Sequence, residues 1–359
     1  MIKMTSKERF YAAVRFQEVD RVPTDLHNFA LCARASGKSF DRFVLDPEAM
    51  AEAQIALHKE FGHDVLLVEN GTASLAQAMG CEISLREDDP PVADRAVLRG
   101  LEEMDKLVVS GKILEAPLLK ANLQAVRLLR KKLGDSVVIM GRGDQGPFSL
   151  ASQILGMNEL LTVLGEGEMD AEIDALLELC TRAGIICCTA MLEAGAHCTS
   201  IGDSTAGPDV ISPAMYERFA RPYEKKLIDA VHGAGGMIAL HICGNAGAII
   251  EGMVDTGADI LELDQKTDLG RAWPVCRGRA AVLGQISPVT LMNGTPGDVA
   301  SETGEMLEKV GGRKASGVIL GPGCALGGLT PYENIHAMLR QARQEEKHGS
   351  YSGIIQREK

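Results

Sequence analysis

Eight short apolar runs punctuate the chain: 22–27 (VPTDLH), 64–69 (DVLLVE), 137–141 (VVIMG), 198–202 (CTSIG), 237–242 (MIALHI), 260–263 (ILEL), 281–284 (AVLG) and 317–320 (GVIL). Most are β-branched and apolar on both faces, as strands of a parallel sheet covered on both sides must be. Helical signals fill the gaps. Thr5 followed by Glu8 forms a capping-box pattern opening SKERFYAAVRF. Asp46-Pro47, Ser212-Pro213, Thr295-Pro296 and Thr330-Pro331 each place a cap residue before a proline suited to a first helical turn. Glu333 takes the box position after Thr330, and Gly233 and Gly235 stop the helix that begins at Ser212.

Alternating strands and helices predict a parallel sheet, and eight strands over this length predict an α/β fold of the (β/α)8 TIM-barrel type. One domain is expected over 1–359, with an N-terminal helical extension over 1–20. The stretch 85–135 is polar, then helical, without a strand, and is expected to be an insertion between the second and third strands. An open doubly wound sheet is the competing architecture. The glycine patterns of its nucleotide-binding forms, GxGxxG and GxxxxGK[ST], are absent. The polar tail from about residue 343 is expected to end the last helix and fray.

Composition narrows the function. With 37 basic and 49 acidic residues, the net charge of −12 repels phosphate backbones and argues against nucleic acid. Only 4% of residues are aromatic, too few for a base-stacking platform. No apolar run reaches the roughly 20 residues of a membrane span. The charged N-terminus lacks the apolar core of a secretion signal, so a cytoplasmic protein is expected. Nine scattered cysteines, an odd count, suggest reduced thiols, some of them ligands.

The chemistry concentrates at His241-Ile242-Cys243-Gly244-Asn245, at the exit of the run MIALH. Alternate residues on a strand share a face, so His241 and Cys243 point together at the end where barrel active sites gather. The run at 317–320 leads into Gly321-Pro322-Gly323-Cys324, which puts a second cysteine on the same rim. One imidazole and two thiolates suit Zn²⁺ and leave a fourth position open. The bland alternative is that each cysteine is merely a small buried residue. Glu262 interrupts the apolar strand ILELD and is either a fourth ligand or a carboxylate that is solvated or paired with an arginine. Asp203 is expected to contact substrate, to orient His241 or to cap a turn. Asn245 either binds substrate or caps the next helix, and Gln145 is expected to line the pocket. His197 and the pair Cys187-Cys188 read as structural, and His58 and His63, at a helix end, as surface residues.

Several segments resemble the uroporphyrinogen decarboxylase superfamily. Lys7-Glu8-Arg9 with Asp20-Arg21-Val22-Pro23 is similar to its N-terminal KER…DRxP pattern, and Gly146-Pro147-Phe148-Ser149-Leu150-Ala151 to GAPWTLA. Asp203-Ser204-Thr205-Ala206-Gly207 is similar to DSWAG, Ser212-Pro213 through Arg221-Pro222-Tyr223 to the LSP…F…PY helix, and Gly284-Gln285-Ile286-Ser287-Pro288 to GNLDP. The order of these segments is more specific than any one of them.

Two departures matter. The arginine-rich RPPVWxMRQAGR of true decarboxylases is replaced by Arg21-Val22-Pro23-Thr24-Asp25-Leu26-His27-Asn28, which removes the partners of a substrate with many carboxylates. The C-terminal LGHG reads Gly321-Pro322-Gly323-Cys324. His-x-Cys with a distant Cys resembles the zinc methyltransferase branch, similar to methylcobamide:coenzyme M methyltransferases. That resemblance implies zinc on His241, Cys243 and Cys324, and a corrinoid (cobalamin) carried by a partner protein. It also implies a small-molecule methyl donor or acceptor: a thiol such as coenzyme M, or a methoxy or methylamine compound. A homodimer is compatible with it. The rival enzyme is a cofactor-free decarboxylase, which requires basic residues at the barrel mouth. The non-catalytic rival, a zinc-sensing or corrinoid-binding module, requires a closed four-ligand site.

Overall fold

The computed structural model describes residues 3–343. Seven strands form one sheet: β1 (Val65–Val68), β4 (Val138–Gln145), β5 (Cys198–Gly202), β6 (Ile238–Ile242), β7 (Ile260–Leu263), β8 (Ala281–Ile286) and β9 (Val318–Pro322). β2 (Glu82–Ser84) and β3 (Val92–Arg95) pair separately as an antiparallel hairpin. Sheet neighbours follow chain order and all pair parallel.

The first predicted strand, 22–27, is not a regular strand. It still occupies the gap between the last and first strands and closes the circle. Leu320 N donates to Pro23 O and Asp25 N to Leu320 O, both at 2.9 Å, while Val65 N donates to Thr24 O at 3.1 Å. Regular pairing fails for local reasons. Pro23 has no N–H, Thr24 N is taken by the Asp64 carboxylate at 2.9 Å, and His27 has a positive φ of 42°. The result is a closed barrel with seven ladder strands and one irregular stave.

The inner cluster of Val65, Leu67, Met140, Ile260, Leu283 and Ile319 fills the barrel, with Phe10 and Val14 of the N-terminal helix Ser6–Val14 plugging its base. That helix begins as expected, Glu8 N donating to Thr5 Oγ1 and Thr5 N to Glu8 Oε2. The KER…DRxP segment anchors it, for Arg9 reaches Asp20 and Asp64 at 2.6 Å and Arg21 reaches Asp64 at 2.6 Å. Asp46 and Thr295 cap their helices. The box at Thr330 does not form: its hydroxyl donates to Gly327 O at 2.8 Å, and the helix starts at Tyr332.

Three further expectations change. The stretch 85–135 contains β3, and its helix Pro117–Leu133 packs on β1 and β4 as the crossover between them. His63 is fully buried and edge-on to the half-buried His58, with ring centroids 5.5 Å apart, so His63 is not a surface residue. Finally, Asp170–Glu193 is long and apolar enough to cross a membrane by length and composition. It buries Ile173, Leu176, Cys187 and Cys188 against the body of the fold, as a core helix does. The predicted fraying tail, 344–359, lies outside the described residues.

Candidate metal centre

β6 delivers His241 to the barrel mouth, 3% exposed, opposite Glu262 of β7 in the ladder. Its Nδ1 lies 2.9 Å from the carbonyl oxygen of Glu262, which can only accept, so Nδ1 carries the proton and Nε2 is left as a ligand atom. Just past β6 the chain turns at Gly244, whose φ is +83° and whose missing Cβ leaves room for the Asp209 carboxylate. Asp264 accepts Gly244 N at 2.9 Å and fixes this turn. Cys243 Sγ then sits 3.0 Å from His241 Nε2 and 3.4 Å from Ser204 Oγ. The loop after β9 brings Cys324 to the same point. It is pinned by Gly323 N donating to Ile286 O and Leu326 N to His27 O.

The ligand atoms of His241, Cys243 and Cys324 all lie within 4.8 Å of one another. A tetrahedral zinc with Zn–S near 2.3 Å and Zn–N near 2.0 Å needs ligand separations of roughly 3.5–3.8 Å. The set therefore closes on such an ion with small side-chain adjustments. Hydrogen bonding to Cys324, reinforced by His241, pulls the Cys243 thiol well below its usual range, while the bond to Cys243 and burial push Cys324 up.

Glu262 lies next to this set without joining it. Its Oε1 is 2.7 Å from His27 Nδ1, and its Oε2 is 3.7 Å from Arg142 and 4.0 Å from His241 Nδ1. It has the arginine partner that was its alternative reading. Asp203 is fully buried and turned away from His241, its carboxylate accepting Phe148 N and Ser149 N at the start of the helix Pro147–Leu155. It caps a helix, though not the one that follows it. Asn245 is exposed and caps its own turn through Gly247 N at 3.0 Å, outside the cavity. Gln145, 7% exposed, does line the cavity. His197 is structural, its Nδ1 accepting Ile139 N.

Sequence reasoning missed a buried ion network beside the cluster. His27 bridges Glu262 and Glu69, the latter at 2.9 Å, and Arg142 reaches Glu69 at 3.1 Å. Burial opposes charge on His27, but Glu69 and Glu262 outweigh it and hold the imidazolium to about 10. Burial likewise opposes charge on Glu69, and His27 and Arg142 bring it down to about 2. Two cations thus neutralise two anions within this network. The signal was available: Glu69 ends DVLLVE, and Arg142 directly follows VVIMG, where a charge at the end of a buried strand points to the rim.

His27, Glu69, Arg142, Ser204, Cys243 and Cys324 border a cavity of about 230 Å³, which Gln145 and Asp144 also line. A larger open depression beside Lys7, Tyr11 and His197 lies at the opposite end of the barrel and holds none of the cluster.

Residues 5–345 match the family profile described as uroporphyrinogen decarboxylase (URO-D). The chain belongs to the uroporphyrinogen decarboxylase family. This family member is 32% identical over 348 residues to a methylcobamide:CoM methyltransferase of Methanosarcina acetivorans, covering 96% of this chain and 99% of the relative. It is 31% identical over 354 residues to a methylcobamide:CoM methyltransferase of Methanosarcina barkeri, with coverage of 96% and 99%. A solved methyltransferase structure from Methanosarcina mazei superposes with a TM-score of 0.86 at 27% identity, covering 95% of this chain and 99% of the other.

Proposed function

We propose that the chain is a zinc-dependent methyltransferase that moves a methyl group between a corrinoid carried by a partner protein and a small substrate. The substrate is a thiol such as coenzyme M, or a methoxy or methylamine compound. The observation that carries this reading is the convergence of His241, Cys243 and Cys324 at the barrel mouth, from segments far apart in sequence. His241, Cys243 and Cys324 would hold the ion. Zinc would supply Lewis acidity that deprotonates a coordinated thiol at neutral pH, where a free thiol of pKa ~8.5 is mostly protonated.

The chain's own residues do the rest. The carbonyl of Glu262 fixes the His241 tautomer, and Ser204 steadies Cys243. The neutral quartet of His27, Glu69, Arg142 and Glu262 keeps the floor of the cavity rigid without adding charge. Three protein ligands leave one position for substrate, and the cavity positions that substrate toward the rim where a corrinoid protein docks. The balanced quartet also counts against the decarboxylase reading, which needs surplus basic charge to hold a polycarboxylate.

The test is a substrate screen on purified protein with metal analysis. Methylcobalamin is mixed with thiols, and separately cob(I)alamin with methoxy-aromatics and methylamines. The expected result is methyl transfer that stops when zinc is chelated and returns when it is restored. Metal-independent decarboxylation of a porphyrinogen, with no methyl transfer, would replace this reading with its rival.

A further inference from the structure

Two side chains in the cavity have no role in the chemistry above. Asp144 is 4% exposed and Gln145 is 7% exposed, and both line the cavity that holds Cys243 and Cys324. Asp144 Oδ2 accepts Leu75 N at the start of the short helix Ser74–Ala78. Its Oδ1 has no hydrogen-bond partner among the described residues, and neither has Gln145 Oε1. Asp144 also has φ +72°, in the left-handed region that costs a non-glycine residue energy. Gly202 faces the same corner. A Cβ there would be 4.0 Å from Gln145 Oε1, 3.8 Å from Ser204 Oγ and 3.9 Å from Arg142 Nη1, so Gly202 borders the polar corner of the cavity.

A buried acceptor without a donor is costly, and a ligand that brings the donor recovers that cost. The cations nearby are already engaged: Arg142 with Glu69 and Glu262, and His27 with both carboxylates. An anionic tail would find both cations already paired and would face the Asp144 carboxyl and the Gln145 carbonyl oxygen. An ammonium or hydroxyl tail supplies what the two oxygens lack.

We propose that Asp144 and Gln145 form a specificity seat for the far end of the substrate, and that it takes a tail that donates hydrogen bonds, an ammonium or hydroxyl, in preference to a sulfonate. This rests on the methyltransferase reading and narrows it, because coenzyme M itself is a thiol with a sulfonate tail. Asp144 and Gln145 would discriminate between substrates while His241, Cys243 and Cys324 handle the sulfur.

The experiment measures binding apart from turnover. The zinc-loaded full chain is titrated by calorimetry with three two-carbon thiols that differ only in the tail: cysteamine, 2-mercaptoethanol and 2-mercaptoethanesulfonate. The same thiols are then offered to methylcobalamin. Cysteamine and 2-mercaptoethanol should bind at least about tenfold more tightly than the sulfonate. Asp144→Asn keeps the shape and should weaken cysteamine about 10- to 100-fold while improving the sulfonate. Gln145→Leu should weaken 2-mercaptoethanol, and thermal melts should establish that both variants fold. Equal binding of the three thiols, tightest binding of the sulfonate, or an Asp144→Asn variant with unchanged preference would overturn the seat. A sulfonate thiol that binds tightest and is methylated sinks the seat and keeps the methyltransferase. Cysteamine bound through Asp144 with no thiol ever methylated supports the seat and sinks the methyltransferase. No binding by any of the three overturns both.

Discussion

His241 donates through Nδ1 to the carbonyl oxygen of Glu262 at 2.9 Å, one rung across the β6–β7 ladder. That bond turns Nε2 toward Cys243 and leaves that nitrogen as the ligand atom. It also ties the cluster to the ion network, because the Glu262 side chain continues to His27.

Replacing any one of the three converging residues should strip the metal. His241→Ala, Cys243→Ala and Cys324→Ala should each lower zinc affinity by more than the ~10–100-fold that loss of an outer partner costs. Metal analysis after dialysis against a weak chelator checks this. Full zinc retention by Cys324→Ala would mean that the loop after β9 does not supply a ligand.

Breaking the buried network should cost stability before it costs chemistry. Glu262→Gln leaves His27 and Arg142 facing only Glu69, and removing one partner of such a pair costs about 3–5 kcal/mol. Urea unfolding should register that loss, and Glu69→Gln should behave alike. If Glu262→Gln unfolds like the native chain, the quartet carries no such energy.

Asp203→Ala removes the acceptor at the start of the helix Pro147–Leu155. A lost cap costs about 1–2 kcal/mol. Gln145 lies two residues before that helix, so substrate affinity should fall as well, while zinc content stays unchanged.

His63 sets an acid limit on stability. Burial, with His58 adding repulsion, drives its imidazole down to about 3. Its unfolded value is near 6.5, so the folded state favours the neutral ring. The stability this protects is complete above pH 6.5 and drains as the pH falls toward 3. Unfolding midpoints should fall as the pH drops from 7 to 4, and His63→Leu should lessen that fall.

Much of this was legible in the sequence. Seven of the eight apolar runs became sheet strands, because a buried parallel strand cannot avoid a short, doubly apolar signature. The ligand set was legible for the same reason: each member sits at or just past a strand end, and the barrel converts strand ends into one rim. The ion network was legible only in part: Glu69 and Arg142 each follow an apolar run, but their pairing on the adjacent strands β1 and β4 leaves no local periodicity. The spacing around Val22–His27 correctly located the closing stave but could not foretell that the Asp64 carboxylate would take an amide of its ladder. His63 misled because the helix end before it is exposed, whereas its own ring packs inward against the half-buried His58.

The most direct test is zinc-edge X-ray absorption on the loaded protein, before and after addition of a substrate thiol. The account predicts two sulfur neighbours and one imidazole in the resting protein, and a third sulfur once the thiol is bound. A sulfur count that stays at two while the thiol is methylated, or four protein ligands that never exchange, would contradict it.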